Sequence, residues 1–246
     1  MYLLIKSLLR KIISPRVLYR VEPVFRNAYS MFFRGPNFKC TLCGFNARKF
    51  IQNEHDFLCP ACGSIARTRR LYSVIEKEIT KDNLTVLDFS PSRPIYRKLK
   101  AIKSLNYFST DLSGDFISDF TYDITQLDIP DNTFDLIICY HILEHVPDDE
   151  KAMSELYRVL KHGGKAIIQT PFTEGLTHED KNEQLSVTER ISLYGQADHV
   201  RIYSISDLKI RLERAGFTIQ LKEFKETPLN IHLYKTQETI LICFKH

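Results

Sequence analysis

The run Phe134-Asp135-Leu136-Ile137-Ile138-Cys139-Tyr140-His141-Ile142-Leu143-Glu144-His145-Val146 constrains the fold of this chain more than any other stretch. Apart from Asp135, its first seven residues are apolar, β-branched or aromatic, the composition of a strand buried on both faces. The strand gives way to His141, Glu144 and His145, and an acidic helix start follows at Asp148, Asp149 and Glu150. A buried strand handing over to a helix implies a parallel sheet. In open α/β sheets ligands bind at the carboxyl ends of the strands. His141, Glu144 and His145 therefore stand where chemistry is expected.

His141-Ile-Leu-Glu144-His145 also spells H-x-x-E-H, an inverted zinc-peptidase signature. That use needs both histidines on one face of a helix. The strand-like residues before the run and Pro147 just after it leave no long helix to carry them, so the peptidase reading fails.

The pattern continues on both sides. A helix is expected near Thr68–Thr80, a buried strand at Thr85–Phe89, a helix at Ile95–Ile102 and a strand at Tyr107–Asp111. Tyr122-Asp123-Ile124 suggests a short third strand, followed by the strand 134–140, a helix at Asp149–Leu160 and a strand at Lys165–Pro171. A helix at Ile205–Ala215 precedes strands at Phe217–Phe224 and Glu238–Phe244, which suit an antiparallel hairpin at one edge. The fold class is thus α/β, Rossmann-like, with a mostly parallel sheet and right-handed crossovers. Residues 195–203 follow neither period, and with His178, Glu179 and Asp180 they form a dense polar insert of the kind that carries function.

Four of the six cysteines form Cys40-Thr-Leu-Cys43-Gly44 and Cys59-Pro-Ala-Cys62-Gly63, with fifteen residues between the pairs. This is the spacing of a four-cysteine zinc ribbon. Four thiolates complete a tetrahedron, so Zn2+ here is structural; His55 is a spare ligand the shell does not need. Three regions are expected: a basic N-terminal segment (1–36), the ribbon (37–66) and the α/β body (67–246).

Charge is distributed unevenly. Residues 1–80 hold fourteen Lys/Arg against five Asp/Glu, whereas the rest holds twenty against twenty-five, within a net charge of +4. Arg48, Lys49, Arg67, Arg69 and Arg70 flank the ribbon, either to grip nucleic acid or to offset the thiolates and dock the ribbon on the acidic body. The latter, or a role in framing the acceptor site, is preferred because aromatic interleaving is modest (Phe45, Phe50 and Phe57) and no dense basic surface continues beyond the front end. Leu4, Ile5, Leu8, Leu9, Ile12 and Ile13 alternate with Lys6, Arg10 and Lys11 in an amphipathic helix stopped by Pro15. It is too short and charged to span a bilayer and lacks a signal-peptide cleavage site. It suits either an anionic membrane surface or packing on its own protein. The expected location is the cytoplasm, with peripheral contact at the inner membrane face through residues 1–14.

Residues 84–246 resemble class I methyltransferases that use S-adenosylmethionine (SAM). The resemblance rests on Phe134–Val146, on Glu155–Gly164 beside the family's ExxRVLKPGG, and on the acids that end the early strands. It implies that Asp111 takes the ribose hydroxyls and that Asp123 with Ile124 takes adenine. It also places Asp88, Ser90 and Tyr140 against the cofactor. The family's first motif is D/E-x-G-x-G, but here Asp88-Phe89-Ser90-Pro91-Ser92 has serines for both glycines, which restricts the loop and admits a non-catalytic binding module as an alternative. The ribbon, the glycine-poor motif and Gly195–Tyr203 together resemble bacterial zinc-ribbon methyltransferases associated with cell-surface polysaccharide gene sets. With the acid pair Asp111 and Asp123 and the polar insert, a small-molecule or glycan acceptor is expected, with RNA read by the ribbon as the other class. His141, Glu144, His145 and His199 are the catalytic candidates, as proton acceptors or as groups orienting them.

Overall fold

The structure is a computed structural model and describes residues 15–53, 56–179 and 185–246. The expected helix at the N-terminus (1–14), His55 and Asp180 lie outside the described residues. Helix α1 (Pro15–Ser30) starts at the proline expected to stop a helix. Pro lacks only an N–H that the first turn leaves unused anyway. Four short strands follow, β1 (Arg34–Lys39), β2 (Asn46–Ala47), β3 (Ile51–Gln52) and β4 (Phe57–Leu58), paired as two antiparallel ribbons. Next come α2 (Ala66–Glu78), β5 (Leu84–Phe89), α3 (Arg93–Lys100), β6 (Leu105–Thr110) and β7 (Phe134–Tyr140). After α4 (Asp149–Val159) and β8 (Leu160–Gln169) lies the insert with β9 (Phe172–Thr173), β10 (His178–Glu179), α5 (Val187–Tyr194) and β11 (Arg201–Ser204). Helix α6 (Ile205–Arg214), β12 (Thr218–Lys225) and β13 (Gln237–Phe244) complete the order.

The main sheet runs β12-β13-β8-β7-β5-β6, with β6, β5, β7 and β8 parallel and β13 antiparallel to both neighbours. This is the expected Rossmann-like sheet with its antiparallel edge. Alternate residues of β7 divide the core. Ile137 and Cys139 join Leu156, Leu208 and Leu212 beneath α4 and α6, while Leu136 and Ile138 join Ile75, Leu99, Phe50 and Cys59 on the other face. The ribbon is thus a lid on one face of the sheet.

Two expectations need correction. No third strand forms at Tyr122–Ile124; only isolated bridges link Thr110 with Phe120 and Asp123 with Gln126. Asp123 instead accepts from both the N–H and the hydroxyl of Thr125 at 2.8 Å, a local turn that competes with a ladder. The insert is also more regular than its pattern suggested, because Arg201–Ser204 form a strand parallel to β9. Among the described residues no helix is long and apolar enough to cross a membrane.

The cations around the ribbon dock it. Fully buried Arg69 donates to the carbonyls of Phe57, Ser64, His232 and Leu233 at 2.6–2.9 Å. Arg70 pairs with Glu226 and lies 3.8 Å from the Tyr234 ring centre. Neither side chain is offered to nucleic acid.

Candidate active site and metal centre

The cysteine cluster comes first along the chain. Gly44 donates to Cys40 O (2.8 Å) and Gly63 to Cys59 O (2.9 Å), each with positive φ, +74° and +80°. These turns fold each Cys-x-x-Cys back on itself. Cys40 Sγ stands 3.7 Å from Cys62 Sγ, and Cys43 Sγ stands 3.8 Å from Cys59 Sγ. Sulfurs about 2.3 Å from one ion in a tetrahedron are about 3.8 Å apart, so the set fits a single Zn2+. The Ser64 hydroxyl lies 3.3 Å from Cys40 Sγ and 3.1 Å from Cys62 Sγ, a polar outer contact for the thiolates.

A second site lies at the carboxyl ends of β5, β6 and β7, where a cavity of about 540 Å³ opens. One wall includes Asp88, Ser90, Asp111, Ile124 and Tyr140. Ser90, at the first glycine position, has φ +46°, the left-handed conformation glycine would adopt. Its hydroxyl donates to Asp111 Oδ1 at 2.7 Å and its N–H to Thr110 O at 2.7 Å, which offsets the backbone cost. Ser92, at the second position, has φ −60° and ψ 144° as N-cap of α3, so no glycine is required there.

Asp111 is buried just past β6 and also accepts from Ser113 Oγ (3.0 Å) and the Phe116 N–H (3.2 Å). Asp88 is buried and accepts from Tyr107 Oη at 2.8 Å. Burial pushes its carboxyl up to about 7, only partly offset by that bond. Tyr140 donates to Glu238 Oε1 at 2.7 Å, which anchors it to β13, and burial holds its phenol well above its usual value. Asp123 is exposed and lies beside the wall rather than in it, between lining residues Tyr122 and Ile124. Asp135, at the start of β7, accepts from Thr85 N and Lys161 Nζ at 2.8 Å and so lies away from the cavity.

The far end of the same cavity holds His141, Glu144, His145 and His199. His141 has φ +60° and donates its N–H to Gln169 O (2.8 Å) at the end of the neighbouring strand. Its Nδ1 lies 3.1 Å from Glu144 Oε1, while its own Nε2 and Glu144 Oε2 are buried without a partner. Burial, with Arg67 and Lys235 nearby, holds His141 well below its usual pKa. Burial pushes Glu144 up to about 7. The ring centroids of His145 and His199 are 4.7 Å apart, edge to face.

Arg201 fixes this end from behind. It is buried, donates to the carbonyls of Leu143, Val146 and Pro147, and pairs with Glu179 at 2.8 Å. Tyr203 Oη donates to Asp149 Oδ2 at 2.6 Å. Of the insert's polar residues, Asp198 and His199 therefore face the cavity, whereas Glu179, Arg201 and Tyr203 hold the loop that carries Glu144. His178 is exposed.

A family model described as a methyltransferase domain matches residues 64–222. The chain belongs to this methyltransferase domain family. Its sequence is similar to the ubiquinone/menaquinone biosynthesis C-methyltransferase of Salmonella arizonae, 32% identical over 104 residues (37% of this chain, 41% of the relative). It is also similar to the sterol 24-C-methyltransferase of Eremothecium gossypii, 32% identical over 112 residues (45% and 29%). The chain spans about half or less of the length of the curated relatives it matches. Its fold is similar to that of a SAM-dependent methyltransferase from Archaeoglobus fulgidus, with TM-score 0.53 and 18% identity over 72% of this chain and 94% of that one.

The cavity also includes Ser113 and Phe116, which the sequence did not single out, and Arg67, which it marked only as a cation flanking the ribbon. Arg67 comes from α2, ahead of every strand of the main sheet, so no local motif reports that it reaches the site. Ser113 and Phe116 are recognisable only because they bond the Asp111 carboxylate.

Proposed function

We propose that this chain transfers the methyl group of SAM to a small-molecule or glycan acceptor. The observation that carries this reading is a single cavity with Asp111 and Ile124 at one end and the unpartnered Nε2 of His141 and Oε2 of Glu144 at the other. Buried polar atoms without partners are rare and costly, and here both belong to residues that line the cavity. When bound, the cofactor supplies a methyl group on a sulfonium, an electrophile that needs alignment more than activation.

Asp111 takes the ribose hydroxyls, and the walls at Asp88, Ser90 and Tyr140 confine the rest of the cofactor. Both bonds that Asp123 accepts fall on Oδ1, leaving Oδ2 to meet the exocyclic amine of adenine next to Ile124. His141 Nε2 takes the proton of an acceptor hydroxyl. Glu144 orients His141 through Nδ1, and His145 and His199 border the acceptor. The left-handed backbone at Ser90 supports catalysis over a purely binding role, because it keeps the loop shape the glycines would give. The buried docking of Arg69 and Arg70 speaks against RNA as acceptor.

The four cysteines hold one structural Zn2+. Glycan methylation in cell-surface polysaccharide synthesis is the context proposed. The protein works in the cytoplasm and touches anionic membrane through residues 1–14; the neighbouring exposed Val24, Phe25, Met31 and Phe32 support such a contact.

Calorimetry with SAM tests the reading. Asp111→Ala should weaken binding roughly ten- to a hundredfold, the worth of about 1.5–3 kcal/mol for a hydrogen bond to a charged group, whereas Asp135→Ala should leave it unchanged. Equal affinity in wild type and Asp111→Ala rules out this cofactor site, and a wild type that ignores SAM rules out the activity.

A further inference from the structure

The acceptor end of the cavity is organised more closely than a hydroxyl pocket requires. His199 is buried, and its Nδ1 lies 2.9 Å from Tyr194 O. A carbonyl can only accept, so Nδ1 carries a proton and the neutral ring presents its lone pair at Nε2. His145 repeats the arrangement, with Nδ1 3.3 Å from Asp198 O and 3.2 Å from Asp198 Oδ2, both acceptors. Two imidazoles with Nδ1–H committed to oxygen acceptors have the tautomer and the outer contacts of metal-ligating histidines.

The third group is Glu144. Its Oε1 is engaged by His141, while Oε2 is buried with no partner. The backbone ties the two ligand-bearing segments together, because Val200 N–H donates to Glu144 O at 2.9 Å. One donor atom from each of Glu144, His145 and His199 lies within 4.8 Å of the others. Ligands about 2.1 Å from a shared ion in a tetrahedral shell stand about 3.4 Å apart. Closure thus needs up to about 1.4 Å of movement, within reach of the His145 side chain, which is 32% exposed.

We propose that Glu144, His145 and His199 form a divalent-cation site at the acceptor end of the cavity, with open positions that take an oxygen of the acceptor. Two imidazole nitrogens and one carboxylate suit Zn2+, Mn2+, Fe2+ or Co2+, and three protein ligands leave positions free for an exogenous ligand. The site differs in kind from the four cysteines, whose thiolates fill the whole shell. Binding of the ion stands on the three side chains alone. Its role, to hold the acceptor oxygen beside His141, rests on the methyl-transfer reading above.

Co2+ separates the two sites, because thiolate ligands give charge-transfer absorption that nitrogen and oxygen ligands do not. The full chain, with zinc on its cysteines, is titrated with CoCl2 and followed by visible absorption. The expected result is about one added equivalent with ligand-field bands and no thiolate charge transfer. Glu144→Gln, His199→Gln and the half-exposed His145→Ala should each weaken that binding at least about tenfold, with melting temperature and zinc content checked in parallel. A wild type with no saturable Co2+ binding beyond the cysteines overturns the proposal. So does undiminished affinity in folded variants at all three positions. SAM calorimetry on the same wild-type preparation keeps the two readings apart, since absent SAM binding removes the ion's role and leaves the cobalt titration to decide the site.

Discussion

The cysteine cluster and the polar cluster after β7 both gather metal-ligating side chains, yet their surroundings are opposite. Around the cysteines every element closes inward: two glycine turns, a serine hydroxyl and a buried arginine surround four sulfurs at tetrahedral spacing. Around Glu144 the scaffold is equally tight on one side, where Arg201 and Tyr203 hold the loop, but buried polar atoms on the other side are left without partners beside a cavity. A filled shell makes a strut. A shell satisfied only from behind makes a place for something to bind, because the protein carries the cost of unpaired polar atoms that only a ligand can repay.

The comparison can be broken at the ribbon first. Cys59→Ser should strip the ion and destabilise the protein by more than about 5 kcal/mol, since metal binding at such sites is folding energy. Metal analysis and thermal denaturation check it, and unchanged zinc and melting temperature would show that the closed cluster is no strut. Arg201→Ala attacks the support of the open site. Removing one partner of a buried ion pair costs about 3–5 kcal/mol, and the loss should appear both in chemical denaturation and as disturbed NMR signals from His145.

A third measurement tests the cofactor side through pH. The Asp88 carboxyl titrates near 7 in the fold against an ordinary 3.8. The folded state therefore keeps a proton that the unfolded chain has released. Stability should fall as pH rises from about 4 to about 7, by up to roughly 4 kcal/mol. Asp88→Asn should flatten that window in denaturation midpoints, and an identical slope in both proteins would refute the assignment. The smallest effect belongs to Ser90→Gly. Relief of a left-handed backbone, about 1–2 kcal/mol, is set against loss of the bond to Asp111, about 1 kcal/mol. Stability should move by about 1 kcal/mol or less, so a large drop in melting temperature would mean the serine holds the loop more firmly than its geometry indicates.

The sequence disclosed the two sites unequally. Cysteine spacing reports its site directly, because ligand, turn and glycine lie within five residues of one another. The sheet was legible because β7 is a long apolar run, while β8 shows only the short run Ala166–Ile168 and takes in the Gly163-Gly164 stop at its start. The third strand failed because Asp123 satisfies its neighbours through its side chain. The order of residues 201–204 was hidden because Arg201 and Tyr203, polar in the sequence, are buried by partners as far away as Leu143 and Asp149. Ser90 looked like a defect on residue type alone; only the φ angle shows that the loop kept its shape. His199 was a candidate from density of polar residues, but its place beside His145 depends on a contact across more than fifty positions.

Arg69 also sets an order of events for a ribosome. Two of its four carbonyl partners, His232 and Leu233, are translated 163 and 164 residues after it. At 5–20 residues per second that interval is roughly ten to thirty seconds. Through all of it the guanidinium lacks half of the partners that make its burial tolerable, so the ribbon cannot seat on the sheet face. The segment before the first knuckle waits as well, because Lys39, next to Cys40, bonds Ile231 O through its N–H and the His232 ring through its carbonyl. Docking of the lid is thus the step that marks the loop before β13 as finished.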